Sequence, residues 1–279
     1  MAAGSNGSGG GASERIAARQ ACTLLYNNMP ALDATLLQGT LQQIIGPCTV
    51  EWARANATGV PLVGGLVQFG SHRIVMIALD APVRDDVLAR TVGVSPMPDE
   101  LRREMLGHRA SIRLLYTGDS EEPVEQLTAL YVVAAALLLR GGLGLLNERA
   151  ALALPTELVI TYLPQLGSSE SLPIPLWVGV VTFSPDEETL GRYLMRTYGM
   201  EQLALPEIAT YIRDRAAADD AYHALMNICL YMLEGRDKHR MSAGDRVDFN
   251  GRTYLFTEPP DAGGAELSSP SGLYMLVEV

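Results

Sequence analysis

One apolar run constrains this chain more than any other part of its sequence. Residues 127–139 read LTALYVVAAALLL, and the charged residues Glu125 and Arg140 stand close to its two ends. This run is too short to cross a bilayer, which takes about 20 residues of helix. It therefore predicts a helix buried in a protein core, and the rest of the chain must supply the apolar surface that covers it.

The composition is sufficient to supply that surface. Of the 279 residues, 48% are hydrophobic and 19% are charged, so the chain is predicted to fold around a sizeable core. Its formal net charge is −11 at pH 7. A chain of this charge is not expected to bind polyanions over a broad surface, so we predict neither a nucleic-acid partner nor a membrane partner.

Shifts in composition divide the chain into four parts. Residues 1–13 are rich in glycine and serine and predict a disordered tail. Residues 163–175 contain several prolines and the run Gly167-Ser168-Ser169, which indicate a linker or a long loop. The N-terminal part, 14–162, and the C-terminal part, 176–279, are each predicted to be α+β and to echo one another loosely.

Hydrophobic periodicity predicts an α+β fold of mostly antiparallel sheets packed against helices. Apolar residues recur at helical spacing over residues 32–45 and 218–233. Asn250-Gly251 is a strong hairpin signal, and strands that follow one another in sequence favour antiparallel pairing. The predicted strands are 22–26, 48–54, 60–69, 73–79, 110–116, 176–183, 190–198, 247–249, 253–256 and 273–279. The other predicted helices are 82–92, 98–107, 148–154 and 206–213.

The sequence contains none of the common phosphate-binding or catalytic motifs. It has no GxxxxGK[ST] loop, no GxSxG elbow and no HExxH pair. Gly142-Leu143-Gly144 supplies only part of a dinucleotide fingerprint, because Asn147 stands where the third glycine should be. Adjacent carboxylates such as Asp219-Asp220 stand at predicted helix starts, where negative charge suits the helix dipole. We therefore predict no cofactor and no metal. The lack of these motifs also argues against an enzyme.

The cysteines bear on the cellular compartment. Cys22, Cys48 and Cys229 lie far apart among apolar residues, without the CxxC pairs of a zinc site or the framework of a disulfide-rich domain. Buried reduced thiols suit a reducing compartment. The first residues also lack the basic start and apolar stretch of a secretory signal. We therefore predict a cytoplasmic location.

The stretch from residue 192 to 207, RYLMRTYGMEQLALPE, contains the candidate binding residues. Charged side chains punctuate an apolar run there, and a glycine within it permits an unusual backbone conformation. One interpretation places the candidates around a cleft, as in a small-molecule-binding protein or a hydrolase. The other interpretation places the charged members in surface or partly buried ion pairs. The candidates are Arg196, Tyr198, Glu201 and Glu207.

A set of spaced motifs in the same region resembles a known family. The motifs are Thr197-Tyr198-Gly199-Met200-Glu201, then Leu205-Pro206-Glu207-Ile208, then a helix and the Gly244-Asp245 step before a strand. Together they are similar to the bacterial family catalogued as domain of unknown function 4261, over about residues 177–256. The upstream Leu24-Leu25-Tyr26 looks like the usual N-terminal companion of that domain. The resemblance implies no activity and no catalytic residue.

Two functions are expected from these observations. The first is a non-enzymatic protein that acts through protein–protein contacts, with a second copy, a regulatory or cognate bacterial partner, or a toxin that it neutralises in an immunity role. The second is a small-molecule-binding protein or hydrolase with a pocket near residues 196–207. Because residues 172–279 carry nine basic and sixteen acidic residues, a basic partner is expected there first.

Overall fold

A computed structural model gives the fold of residues 20–57, 60–166, 172–184, 192–236, 240–260 and 265–279. It confirms the predicted α+β class, with antiparallel-rich sheets packed against helices. The tail predicted for residues 1–13 lies outside the described residues. Within them, none of the helices combines the length and the apolar character that a membrane span needs.

The described residues form two sheets and the helices that cover them. The strands are β1 (Ala21–Tyr26), β2 (Thr49–Ala57), β3 (Val60–Phe69), β4 (His72–Leu79), β5 (Ala110–Tyr116), β6 (Gly142–Asn147), β7 (Leu152–Pro155), β8 (Gly179–Phe183), β9 (Tyr193–Tyr198), β10 (Glu207–Ile212), β11 (Arg246–Phe249), β12 (Arg252–Thr257) and β13 (Leu273–Glu278). The α-helices are α1 (Ala34–Ile45), α2 (Asp85–Thr91), α3 (Asp99–Leu106), α4 (Pro123–Leu138), α5 (Thr156–Thr161), α6 (Leu163–Leu166), α7 (Ile174–Trp177) and α8 (Ala218–Gly235). Short 3-10 turns lie at Glu148–Ala150, Met200–Leu203, Arg215–Ala217 and Ala265–Leu267.

The first sheet has the strand order β2-β3-β4-β5-β1-β6-β7, and all of its neighbours are antiparallel. Strand β1 lies near the middle, where Thr23 is opposite Arg113 of β5 on one side and Leu146 of β6 on the other. Helix α4 packs against one face of this sheet. Helices α2 and α3 pack against part of the opposite face through a smaller apolar cluster.

The second sheet has the strand order β11-β12-β13-β10-β9-β8. Its neighbours are antiparallel except for β10 and β13, which run parallel. Helix α8 leads from the end of β10 toward the β11–β12 hairpin and packs against β9, β10 and β11. The predicted turn of that hairpin is confirmed, because Asn250 and Gly251 join β11 to β12 with the positive φ angles of a tight hairpin turn.

Helix α4 contains most of the apolar run and lies at the centre of the core. Eleven of its sixteen residues are buried. It packs against β1, β4, β5 and β6 on the sheet side and against α1, α5 and α6 on its other sides. The buried Tyr131 hydroxyl accepts a hydrogen bond from Asn147 Nδ2 at 3.1 Å, so this polar atom of the helix has a partner.

One apolar core takes side chains from both parts of the chain. Its largest cluster of buried residues includes side chains of both sheets and of α4 and α8. The 3-10 turn Met200–Leu203 contacts α4 directly and contributes buried apolar side chains. In the segment 163–175, residues Leu163–Leu166 form helix α6. Leu166 and Ile174 are buried in the same core.

The prediction of a helix over residues 206–213 is wrong, because this stretch forms strand β10. The strand is central in its sheet, and most of its residues are buried on one face or the other. A strand buried on both faces lacks the alternation of apolar and polar residues that marks a half-exposed strand. Its sequence, EIATYI, therefore carries no clear strand period.

Two other predicted elements are shifted, and strand β6 is missing from the prediction. The helix predicted over 148–154 is a 3-10 turn, Glu148–Ala150, followed by strand β7. Strand β6 is absent from the sequence prediction because its glycine-rich start resembles a break after α4. The strand predicted over 176–183 begins only at Gly179, since residues before it form the short helix α7.

We predict that the burial of α4 dominates the stability of this fold. Leu130→Ala removes a fully buried side chain and should lower the free energy of unfolding by about 2–5 kcal/mol. Leu139→Ala, one residue beyond the helix, removes the same side chain where it is 54% exposed and should change stability by roughly 0.5 kcal/mol or less. Urea unfolding monitored by circular dichroism measures the free energy of unfolding of both variants. Equal losses would show that α4 is not the centre of the core.

Candidate functional site

Glu207 lies at the start of β10 and is the centre of a buried hydrogen-bond network. Its carboxylate accepts hydrogen bonds from the Thr197 hydroxyl at 2.6 Å and from the Gly199 backbone N–H at 2.9 Å. A third bond comes from the backbone N–H of Glu201 at 3.3 Å. The Thr197 oxygen also accepts the N–H of Ile208 at 2.9 Å. The network therefore holds the end of β9, the following turn and the start of β10 together.

Burial raises the pKa of the Glu207 carboxyl above its ordinary value. The hydrogen bonds from Thr197, Glu201 and Gly199 act in the opposite direction, as does the positive charge of Arg196, but burial is the larger effect. A raised carboxyl pKa is a property of many acid–base catalysts. Here, however, one carboxylate oxygen accepts from Thr197 of β9 and the other from the turn after it, so the geometry favours a role in holding these segments together.

Gly199 has the unusual backbone conformation that the sequence suggested. Its φ angle is +112°, in the region that side chains disfavour. A Cβ atom at this position would lie 2.3 Å from the carbonyl oxygen of Trp177. The turn after β9 can therefore approach α7 closely only because residue 199 is glycine.

Arg196 is buried and holds the segment that precedes β13. Its guanidinium donates hydrogen bonds to the carbonyl oxygen of Glu266 and, at 2.7 Å, to that of Ser268. It also lies 4.5 Å from the centre of the Tyr198 ring, where a cation–π contact adds to the attraction. These contacts make Arg196 a positioning residue for the 3-10 turn Ala265–Leu267.

Glu201 lies nearer the surface and pairs with a residue of the N-terminal part. Its carboxylate is 2.8 Å from a guanidinium nitrogen of Arg149, and both side chains are partly exposed. Close by, the side-chain amide of Gln20 donates to the carbonyl oxygen of Gln202 at 2.8 Å. The turn after β9 is therefore tied to the first sheet by polar contacts as well as by its apolar contact with α4.

The structure thus brings the four candidate residues together without placing them around a cleft. Arg196, Glu201 and Glu207 bond neighbouring backbone and side-chain groups, and Tyr198 packs against Arg196. The cavities described below are lined by other residues. The partly buried ion pair considered for this stretch is seen at Glu201. The geometry assigns these residues to the construction of the second sheet.

The cysteines and the usual metal-ligating side chains form no further candidate site. Cys22, Cys48 and Cys229 are buried free thiols, and burial raises the pKa of each. A thiol with a raised pKa is a poor nucleophile at neutral pH. In the described part of the chain, no three or more His, Cys, Asp or Glu side chains are grouped so that they could hold a metal ion.

A cleft opens where the two parallel strands of the second sheet separate. Strands β10 and β13 pair from Glu207 and Leu273 to Ala209 and Met275, and both continue beyond that point without pairing to each other. A hydrogen bond from the Thr210 hydroxyl to a β13 carbonyl oxygen, at 3.0 Å, closes the inner end. Beyond it lies a cavity of about 960 Å³, which we call the second-sheet cleft.

The residues that line the second-sheet cleft leave it open and give it both positive and negative charges. Helix α8 faces it with the small residues Ala221 and Ala224, which leave the space unfilled. Arg252 lies 3.5 Å from a carboxylate oxygen of Asp220 and 3.5 Å from one of Glu278, so its charge is balanced. The remaining lining includes Arg192, Tyr211, Arg213, Asp214, Val277 and Glu258.

The sequence did not identify this cleft. A cleft between parallel strands requires a strand–helix–strand unit, and the first of its strands, β10, has the sequence pattern of a helix start because of Pro206-Glu207. The remaining signal was the pair of small residues Ala221 and Ala224 in α8, which fit an ordinary helix equally well. The cleft can therefore be located only when the pairing of the strands is known.

Comparisons with protein-family models, with curated proteins and with solved structures find no match to this chain. The resemblance of residues 177–256 to domain of unknown function 4261 therefore stays a prediction.

The Glu207 network should contribute measurably to stability. Glu207→Ala leaves the Gly199 N–H and the Thr197 hydroxyl without this acceptor inside the protein, and should cost about 2–4 kcal/mol. Glu207→Gln retains an acceptor for the N–H group, and its amide can donate to the Thr197 oxygen, so it should cost less than half as much. Urea unfolding at neutral pH compares the two variants. Equal stability of Glu207→Ala and the unmodified protein would contradict the role given to the network.

The raised pKa of Glu207 also predicts a pH dependence. Because the folded state holds this proton more tightly than the unfolded state, folding stability should fall as the pH rises from the ordinary glutamate pKa to the raised one. Glu207→Gln cannot titrate, so the unmodified protein should lose stability relative to it across this window. Unfolding curves at stepped pH measure the difference. A relative gain in stability with rising pH would mean that hydrogen bonding outweighs burial at this carboxyl.

Proposed function

We propose that this protein is a non-enzymatic binding protein that holds a segment of a partner protein in the second-sheet cleft. The observation that carries the proposal is the cavity between the separated ends of β10 and β13. Clefts at the carboxyl ends of parallel strands are frequent ligand sites in sheets that contain such pairs. The volume of about 960 Å³ is large enough for several residues of an extended peptide.

The backbone at the cleft suits an extended segment. Beyond Ala209 and Met275, the facing edges of β10 and β13 are no longer paired to each other in a ladder. A segment that enters in the extended conformation can form main-chain hydrogen bonds with such edges, as in strand addition. The exposed side chain of Val277 and the half-buried Tyr211 offer apolar contact beside these edges.

The charge of the region supports a basic partner. Asp214, Asp220, Glu258 and Glu278 line the cleft, together with three arginines, and Arg252 is already balanced by two of these acids. The surrounding C-terminal part has nine basic and sixteen acidic residues. A basic segment would therefore approach along a favourable field, and its binding should weaken as the salt concentration rises.

The proposed partner is a bacterial protein that this chain meets in the cytoplasm. The resemblance to a bacterial family supports a bacterial partner, either a regulated protein or a toxin neutralised in an immunity role. The three buried free cysteines support action in the cytoplasm. The alternative of a small-molecule site or hydrolase centre among Arg196, Tyr198, Glu201 and Glu207 has less support, because none of them lines the two cavities described here and the charged groups of three of them already bond the protein itself.

We predict that filling the cleft abolishes partner binding. Ala221→Arg places a long cationic side chain in the cleft, and steric overlap and charge repulsion should reduce recovery of the partner by roughly tenfold or more. The matched control is Ala216→Arg, which makes the same change at an exposed residue outside the cleft lining. The measurement is pull-down from the native host with quantitative mass spectrometry.

Two results of the pull-down would contradict the proposal. If no protein is recovered specifically and the chain is monomeric on its own, the proposed function fails. If a partner is recovered equally by the Ala221→Arg and Ala216→Arg variants, the protein binds a partner but not in the second-sheet cleft. Thermal unfolding of both variants confirms that each is folded before the comparison.

A further inference from the structure

A second cavity, independent of the second-sheet cleft, lies on the first sheet. It has a volume of about 540 Å³ and sits over β1, β5 and β6, beside the 3-10 turn Glu148–Ala150. We call it the first-sheet cavity. Its polar lining includes Arg113, Arg149, Glu148, Thr23 and Thr117, and its apolar lining includes Leu115 and Leu146.

The two arginines of the first-sheet cavity are each held by one glutamate. Arg149 Nη2 lies 2.8 Å from Glu201 Oε1, and Arg113 Nη1 lies 3.6 Å from Glu148 Oε1. The shorter pair orients the Arg149 guanidinium before any ligand arrives, whereas Arg113 and Glu148 are in looser contact. Both pairs also balance the two positive charges, so the cavity has no large excess charge that would require a polyanion.

One donor in this arrangement has no acceptor. Arg149 Nη1 is buried and makes no hydrogen bond with any described residue. A buried guanidinium N–H without a partner is costly, and Arg149 belongs to the lining of the cavity. Thr23, buried on β1 directly opposite Arg113, adds a hydroxyl at the floor. The cavity lining thus includes two guanidinium groups and a hydroxyl.

We infer that the first-sheet cavity binds a small monocarboxylate. Guanidinium groups recognise planar carboxylates through paired charge-assisted hydrogen bonds, and a hydroxyl can complete the set. Leu115 and Leu146 provide contact for a short apolar chain on the other side of such a ligand. Because the arginines are already balanced by Glu148 and Glu201, a single negative charge suits the site better than a multiply charged anion.

The test is titration of the purified 279-residue protein with butanoate, hexanoate and benzoate, measured by isothermal calorimetry and by thermal unfolding. Inorganic phosphate and butylammonium serve as comparison ligands. At least one carboxylate should bind saturably and raise the melting temperature, whereas butylammonium should do neither. Arg149→Gln should weaken that binding by roughly tenfold or more, since it removes a charged donor.

Two further variants make the test decisive. Thr23→Val keeps the shape of the side chain but removes the hydroxyl, and should weaken binding several-fold; it decides the matter if Arg149→Gln does not fold. Arg90→Gln is the matched control, because it removes one positive charge from an exposed pair on α2, and it should leave binding unchanged.

The inference would be overturned by three results. The first is the absence of saturable carboxylate binding. The second is equal binding by the Arg149→Gln and Arg90→Gln variants. The third is tighter binding of phosphate than of every carboxylate, which would show a general anion site. None of these results depends on the second-sheet cleft, so the proposed function is tested separately.

Discussion

Helix α4 needs apolar contact on every side, and this need organises the rest of the chain. No single sheet can provide it, because a sheet covers only one side of a helix. The first sheet covers one side, while α1, α5, α6 and the turn Met200–Leu203 cover others. Because that turn belongs to the C-terminal part, covering α4 draws both parts of the chain into one core. The shared core follows directly from an apolar run that has no polar face.

The contact between α4 and the turn Met200–Leu203 also positions the start of strand β10 in the second sheet. The turn that packs against α4 is held to the start of β10 by the carboxylate of Glu207, and Gly199 allows it to approach α7. Strand β10 then runs from this fixed end to the second-sheet cleft. The buried network is therefore remote from the cleft along the strand, yet it fixes one of the two strands that form it. This role gives a physical reason for a carboxylate to be buried at this position.

The sequence predicts elements that have a clear period, a turn signal or, like α4, a long apolar run, and it fails at strand β10, which has none of these. Helix α1 and the β11–β12 hairpin have clear periods or turn signals, and both are confirmed. Strand β10 is covered on both faces and lacks such a period. The candidate residues Arg196 and Glu207 lie on the neighbouring strands β9 and β10, and both bond groups of the protein itself. A sequence cannot distinguish a charged residue that faces a ligand from one that bonds buried backbone, since both stand among apolar neighbours.

The second-sheet cleft stays open although the chain could readily fill it. Leucine in place of Ala221 or Ala224 would extend the core between α8 and the strands, and filling such space usually stabilises a protein. Instead, the chain places charged residues around the gap and balances Arg252 with Asp220 and Glu278. Ordered ion pairs around unfilled space contribute little to stability when they are exposed. An arrangement that gives up packing for directed charge and free strand edges is better suited to receiving a ligand than to stabilising the fold, which is the physical argument for binding at this end of the sheet.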